Sequence, residues 1–125
     1  MWNYVAVALG GAFGCCARLG MNQLVHVHYG QAFPLATLII NVSGCLVMGF
    51  LFFYTLEHIS IGPALRLAII TGVLGGFTTF SAFGIETYLL VDDGKLAQAV
   101  LYVTLSVVAG IGAVFIGAYA ARSFG

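Results

Sequence analysis

The sequence predicts an all-α membrane protein with four transmembrane helices, the third of them broken in the middle of the membrane. Hydrophobic residues make up 62% of the chain and charged residues only 6%, whereas a soluble domain carries about 25% charged residues. Four basic and four acidic side chains cannot keep so much apolar surface in water, so the solvent is lipid. The break is predicted because residues that form helices poorly interrupt the third apolar segment.

Four apolar segments divide the chain, and each is long enough to cross ~30 Å of hydrocarbon, which takes ~20 residues. The predicted spans are residues 3–25, 35–56, 64–91 and 96–121, which make residues 1–125 a single transmembrane domain. A polar turn is predicted at residues 26–31, between the first two spans. Zero net charge and the lack of a basic patch argue against a nucleic-acid partner.

The positive charges are divided equally between the two sides of the membrane. Arg66 and Arg122 share the side of the N-terminus, and Arg18 and Lys95 share the other. Orientation normally follows an excess of Lys and Arg in cytoplasmic loops, and here there is no excess. Two copies could therefore insert in opposite directions and pair antiparallel, giving a dual-topology homodimer. The alternative is that one flanking charge dominates and fixes a single orientation.

Polar side chains inside the spans are candidates for function, because hydrocarbon makes them costly to bury. Arg18 lies in the second half of the first span, where it either snorkels to the interface or lines a wet vestibule that attracts an anion. Asn41 in the second span is either a link between helices or a donor facing a pore. Thr37 shares a helical face with Asn41, and Tyr102 shares one with Ser106 in the fourth span.

The third span contains the most unusual segment, GVLGGFTTFSAF at residues 72–83. Gly75-Gly76 and the β-branched pair Thr78-Thr79 are poor helix formers, so we expect the helix to break there. Irregular backbone at this depth is tolerated only when it is buried in protein or lines a cavity. The carbonyls that a break frees can coordinate a cation such as Na⁺.

Two phenylalanines, Phe80 and Phe83, project from one face just beyond the predicted break. Phenylalanine in a span usually faces lipid or the protein core. Glu86 follows on the same side of the helix, and a carboxylate does not face lipid, which favours a polar path instead.

Pairs of glycines spaced four apart occur in the first and third spans, at Gly10 and Gly14 and at Gly72 and Gly76. This spacing lets helix backbones approach closely. Packing within the chain explains some of these glycines, but the pattern favours an oligomer.

Taken together, these segments resemble the Fluc (CrcB) family of fluoride channels. The matching motifs are GGAFG at residues 10–14 with Arg18, NVSG at 41–44, and GVLGGFTTFSAF at 72–83. The resemblance covers the whole chain. It implies a fluoride-selective channel that passively exports fluoride across the microbial inner membrane, lowers cytoplasmic fluoride and gives resistance to its toxicity. It also implies an antiparallel homodimer with two separate pores.

The resemblance assigns roles to individual residues. Asn41, Phe80 and Phe83 resemble the residues that meet fluoride in the pore, with Ser81 near them. Carbonyl oxygens of Gly75 and Thr78 resemble the ligands of a structural Na⁺ shared by both subunits. Thr37, Tyr102 and Ser106 resemble a polar track along the pore. Arg18 resembles the arginine of the vestibule, and Glu86 is a carboxylate beside the pore.

Three other functions fit the sequence less well. A small drug/proton antiporter also has four spans, but it needs a deep carboxylate in the first span, which has none. A membrane assembly factor or regulatory subunit would leave Asn41, Phe80 and Phe83 without a purpose. An enzyme would need a nucleophile with a base or a metal cluster, and the sequence contains neither pattern.

Overall fold

The computed structural model describes residues 1–124 and contains four helical spans joined by short turns. The helices are α1 (Trp2–Tyr29), α2 (Leu35–Glu57), α3 (63–77), α4 (Phe80–Asp92) and α5 (Leu96–Ser123). Each span is long and apolar enough to cross a membrane, the third being Pro63–Asp92, which α3 and α4 form together. The prediction of an all-α membrane protein with four spans is therefore confirmed.

The turns between helices are set by glycine and proline. Gly30 ends α1 with a φ of 74°, and Gly94 turns the chain between α4 and α5 with a φ of 75°. Pro63 occupies the first turn of α3, where a missing N–H is tolerated. Residues 26–29, predicted as part of a turn, are instead the last turn of α1. These polar residues mark the edge of the hydrocarbon. They do not end the helix, because residues 26–29 include no glycine or proline.

The third span leaves regular α-helix twice. Residues Ala68–Leu74 form a π-helix, and Gly75–Phe77 return to α-helical geometry. Thr78 and Thr79 are then extended, with φ and ψ of −78° and 156° and of −151° and 119°. The mid-membrane break is confirmed, but it lies at the threonines alone. Gly75 and Gly76 stay helical, whereas β-branched residues accept extended backbone readily.

Helices α1 and α3 pack with their backbones in direct contact. A side chain on Gly10 would collide with the carbonyl oxygen of Ala68, and one on Gly14 with that of Val73. Gly72 and Gly76 meet the backbone of α1 in return. These four glycines therefore serve packing within the chain, and their spacing does not by itself indicate an oligomer.

Helices α2 and α5 form the second close pair. A side chain on Gly117 would collide with the Leu46 carbonyl oxygen, and one on Gly49 with that of Val114. The two helix pairs meet where α2 contacts the third span before and after the break. A small buried cluster of Leu90, Ala99 and Tyr102, with Phe33 and Phe83 packed against it, joins α4 to α5 beside the break.

Candidate functional site

The break in the third span is held by a side chain from α2. The Asn41 amide nitrogen donates to the Thr79 carbonyl oxygen at 2.9 Å, and the Thr79 N–H donates to Asn41 Oδ1 at 2.8 Å. One side chain therefore pairs both backbone groups of an extended residue, as a neighbouring strand would in a sheet. The Thr79 N–H and carbonyl thus both have the hydrogen-bond partners that backbone groups inside a membrane require.

A second side chain caps the start of α4. Thr79 is the N-cap residue, and its Oγ1 accepts a hydrogen bond from the Ala82 N–H at 3.2 Å. In a continuous helix the Ala82 N–H would donate to the Thr78 carbonyl, and the Thr79 N–H to the Gly75 carbonyl. Both donors are diverted to side chains. The carbonyls of Gly75 and Thr78 thus lose their usual helical donors.

A cavity of about 280 Å³ lies beside the break. The residues that line it carry no charge and include these six: Asn41, Thr78, Thr79, Phe80, Phe83 and Ser106. Asn41 uses one amide hydrogen on Thr79 and has its second available. The buried Ser106 Oγ has no hydrogen-bond partner among residues 1–124. Two residues that line the cavity therefore have a donor without a partner in the chain.

The two phenylalanines lie at the mouth of this cavity. Their ring centroids are 5.5 Å apart, and the planes are inclined at 51°. Phe83 also meets the ring of Tyr102 at 5.2 Å. Phe80, in contrast, is 83% exposed in the single chain, although it lies at the middle of the span.

Three polar residues form a hydrogen-bonded group next to Phe83, in which Thr37 and Tyr102 are buried and Glu86 is half-buried. Thr37 Oγ1 donates to Glu86 Oε1, and the Tyr102 hydroxyl donates to Glu86 Oε2, each at 2.7 Å. Thr37 and Tyr102 are 1% and 0% exposed. Thr37 and Tyr102, predicted as a polar track, are therefore brought together by Glu86. The sequence predicted Glu86 only as a neighbour of the pore, since its two partners lie on other spans.

Arg18 and Ser81 lie on the other side of the break, at a second cavity of about 560 Å³. Asn22 and Thr79 also line this cavity, and Thr79 lines both cavities. Ser81 was predicted near the pore; it lines the cavity of Arg18, and its Oγ lies 3.4 Å from Thr79 Oγ1. The cavity presents one cationic side chain, that of Arg18, and three uncharged polar side chains.

Two other arginines lie away from both cavities. Arg66 Nε donates to Thr55 Oγ1 at 3.3 Å, and its guanidinium lies 4.7 Å from the centroid of the Phe52 ring. Arg122 forms an ion pair of 3.1 Å with Glu57. No sequence pattern indicated these contacts, which secure the start of α3 and the end of α5 to the end of α2.

Among residues 1–124, no three His, Cys, Asp or Glu side chains are grouped so that they could hold a metal. A cation at the break would therefore rely on backbone oxygens. The released carbonyls of Gly75 and Thr78 fit that requirement, because oxygen atoms are the ligands that hard cations prefer.

Comparisons with known proteins show the family of the chain. Residues 5–118 match the model of a family described as CrcB-like protein, Camphor Resistance (CrcB). A protein of Acidithiobacillus ferrooxidans named fluoride-specific ion channel FluC is 47% identical over 117 residues, 94% of each chain. One of the same name from Methylobacterium sp. is 47% identical over 125 residues, the full length of both. Fluoride-specific ion channel FluC 1 of Moorella thermoacetica is 43% identical over 119 residues, 95% of this chain and 85% of that one.

Proposed function

The chain belongs to the CrcB family, and from that membership together with the site we propose that it is a fluoride channel. It is a multi-pass membrane protein and not an enzyme. The observation that carries the proposal is the uncharged cavity at the break, in which Asn41 and Ser106 have uncommitted donors beside Phe80 and Phe83.

The chemistry of this cavity suits a small, strongly hydrated anion. A pore for fluoride must replace lost water with hydrogen-bond donors, and the Asn41 amide and Ser106 hydroxyl supply them. The edge of a phenyl ring carries partial positive charge and can meet an anion. No fully charged cationic side chain lines the cavity. A fixed positive charge would bind fluoride too tightly, and conduction requires binding weak enough for the ion to leave.

The proposed pathway continues on both sides of the phenylalanines. Arg18, with Ser81 beside it, forms a vestibule that attracts anions. Thr37, Tyr102 and Glu86 form the polar track beyond Phe83. Both hydroxyls donate to Glu86 in this structure, so each would have to turn from the carboxylate to serve the anion.

The proposed assembly is an antiparallel, dual-topology homodimer with two pores. Gly75 and Phe80 are exposed at the middle of the membrane in the single chain. Irregular backbone at that depth needs protein or a cavity beside it, and a second copy meets the need. The equal division of positive charge between the two sides removes the barrier to opposite insertion. Twofold symmetry would duplicate the cavity.

A structural Na⁺ is proposed at the centre of that dimer, held by the carbonyl oxygens of Gly75 and Thr78 from both subunits. The fit rests on the diversion of the helical donors of both carbonyls, described above. When bound, the ion would neutralise converging carbonyl dipoles and hold the two broken spans together.

We place the dimer in the cytoplasmic (inner) membrane of a microbe, where passive export lowers cytoplasmic fluoride. The chain should therefore restore growth on fluoride-containing medium to a bacterium whose own fluoride exporter has been deleted. Absence of rescue, with the protein present in the membrane fraction, would contradict the proposal.

A further inference from the structure

We propose that Asn41 and Thr79 are positioning residues for the cation site. Their side chains take the two N–H groups that would otherwise close the helix over the break, and so keep the Gly75 and Thr78 carbonyls open. The inference rests on the sodium site of the proposed function and assigns to it two side chains that are not themselves ligands.

Asn41 competes with a backbone carbonyl for one hydrogen. The Thr79 N–H has two possible acceptors, the Gly75 carbonyl one helical turn earlier and Asn41 Oδ1. It donates to Asn41 Oδ1, and Asn41 donates back to the Thr79 carbonyl. This reciprocal pair holds Thr79 in extended backbone, which a returning helical bond would not allow. Loss of the Asn41 amide therefore lets the Thr79 N–H return to Gly75.

The Thr79 hydroxyl competes in the same way for the N–H of Ala82. The Ala82 N–H donates to Thr79 Oγ1 and not to the Thr78 carbonyl. Thr79 is 9% exposed, so water does not readily substitute for the missing hydroxyl. Without Oγ1, the Ala82 N–H is left to compete with a cation for the Thr78 carbonyl.

A second residue of α2, Gly44, also contacts the break. Gly44 lies one turn after Asn41, and a side chain there would collide with the Cγ2 methyl of Thr78. The absence of a side chain lets Thr78 lie directly against α2. The same helix thus holds both extended residues of the break, Thr78 by close contact and Thr79 by hydrogen bonds.

Asn41 consequently belongs to two sites. One amide hydrogen is committed to Thr79, while the other is available to the cavity that Phe80 and Phe83 line. A change at Asn41 should therefore alter the response to sodium as well as the flux of fluoride, and a change at Phe80 should alter flux alone.

The test measures the thermal midpoint of the purified full-length protein as sodium chloride replaces N-methyl-D-glucamine chloride at constant ionic strength. The wild-type midpoint should rise with sodium. In Asn41→Ala and Thr79→Val, the sodium concentration for half of the rise should increase by about 10- to 100-fold, the usual effect of losing a group that orients metal ligands. Thr79→Ser, which keeps the hydroxyl, should restore the wild-type curve.

Two controls separate this role from simple stabilisation. Ser43→Ala removes a hydroxyl of α2 that donates to the Ile40 carbonyl and does not touch the break, so its sodium curve should match that of the wild type. Phe80→Ile should also keep that curve. If either Asn41→Ala or Thr79→Val does not fold, the other variant decides the outcome.

Two results would overturn the inference. Wild-type sodium curves in both Asn41→Ala and Thr79→Val, with only the sodium-free midpoint lowered, would make these residues merely structural. A wild-type protein without any sodium response would remove the proposed cation site as well, while the measurement of fluoride flux would still stand by itself.

Discussion

The Asn41 side chain and the Thr79 backbone are joined by two hydrogen bonds of 2.9 and 2.8 Å across the break in the third span. This pair satisfies the backbone where the helix cannot, and it brings α2 to the centre of the molecule. Just before it in the chain are the Gly75 and Thr78 carbonyls, which have lost their helical donors. Asn41 and Thr79 also line the cavity with Phe80 and Phe83. The break therefore contributes residues both to the proposed cation site and to the proposed ion path.

Removal of the Ser106 hydroxyl should slow fluoride without weakening the fold. Its Oγ has no partner among residues 1–124, so Ser106→Ala loses no internal hydrogen bond. A hydrogen bond to a charged group contributes about 1.5–3 kcal/mol, so fluoride flux in liposomes should fall by a factor of roughly 10 to 100. Ser43→Ala, on the opposite helix, serves as the matched control and should keep wild-type flux. Equal flux in the two variants would remove Ser106 from the path.

Replacement of Tyr102 should destabilise the fold through Glu86. Tyr102→Phe leaves Glu86 Oε2 without the hydroxyl that lies 2.7 Å from it. A buried acceptor left unpaired costs about 1–3 kcal/mol, and denaturant unfolding in detergent should show a loss of that size. Tyr119→Phe is the control, because Tyr119 is 76% exposed, and it should unfold like the wild type. Identical unfolding of both variants would mean that this hydroxyl does not support the carboxylate.

Close contact between α1 and α3 predicts different results for two glycines of the same helix. An added Cβ at Gly14 would collide with the Val73 carbonyl oxygen, whereas one at Gly20 meets nothing within 4 Å. Gly14→Ala should lower the free energy of unfolding by about 1–3 kcal/mol, as overpacking usually does. Gly20→Ala should be neutral or slightly stabilising, since alanine favours helix. A Gly14→Ala protein that melts like Gly20→Ala would contradict the observed packing.

The balanced charges predict that both orientations occur in one membrane. Asp93 lies in the turn after α4, and a single cysteine placed there by Asp93→Cys, with the three native cysteines replaced, reports its side. With no positive-inside bias, an impermeant maleimide should label roughly half of the protein in intact cells and the rest only after lysis. A matched Phe124→Cys protein should give the same division from the other end of the bundle. Labelling from one side only would exclude dual topology.

Much of this architecture follows from the sequence because hydrocarbon allows few solutions. Four long apolar segments must be helices, and the adjacent β-branched Thr78 and Thr79 mark the break correctly. The resemblance carried by residues 72–83 is confirmed by the family match. These features depend on local composition, which a sequence displays directly.

The contacts that organise the site depend on how helices cross, and the sequence did not show them. Asn41 and Thr79 are 38 residues apart, and nothing local indicates that one amide replaces a helical bond of the other. Glu86 likewise gathers Thr37 and Tyr102 from two other spans. The spacing of Gly10 and Gly14 predicts close helix packing, and the structure shows it. Spacing alone does not tell whether the partner helix belongs to the same chain.

Fluoride efflux from liposomes containing the purified protein, followed with a fluoride electrode, tests the central claim most directly. We expect rapid efflux that depends on a cation ionophore, no comparable efflux of chloride, and loss of flux in Phe80→Ile. The control Phe115→Ile, at a residue that lines neither cavity, should keep wild-type flux. Absence of fluoride efflux, equal passage of chloride, or wild-type flux in Phe80→Ile would contradict the claim.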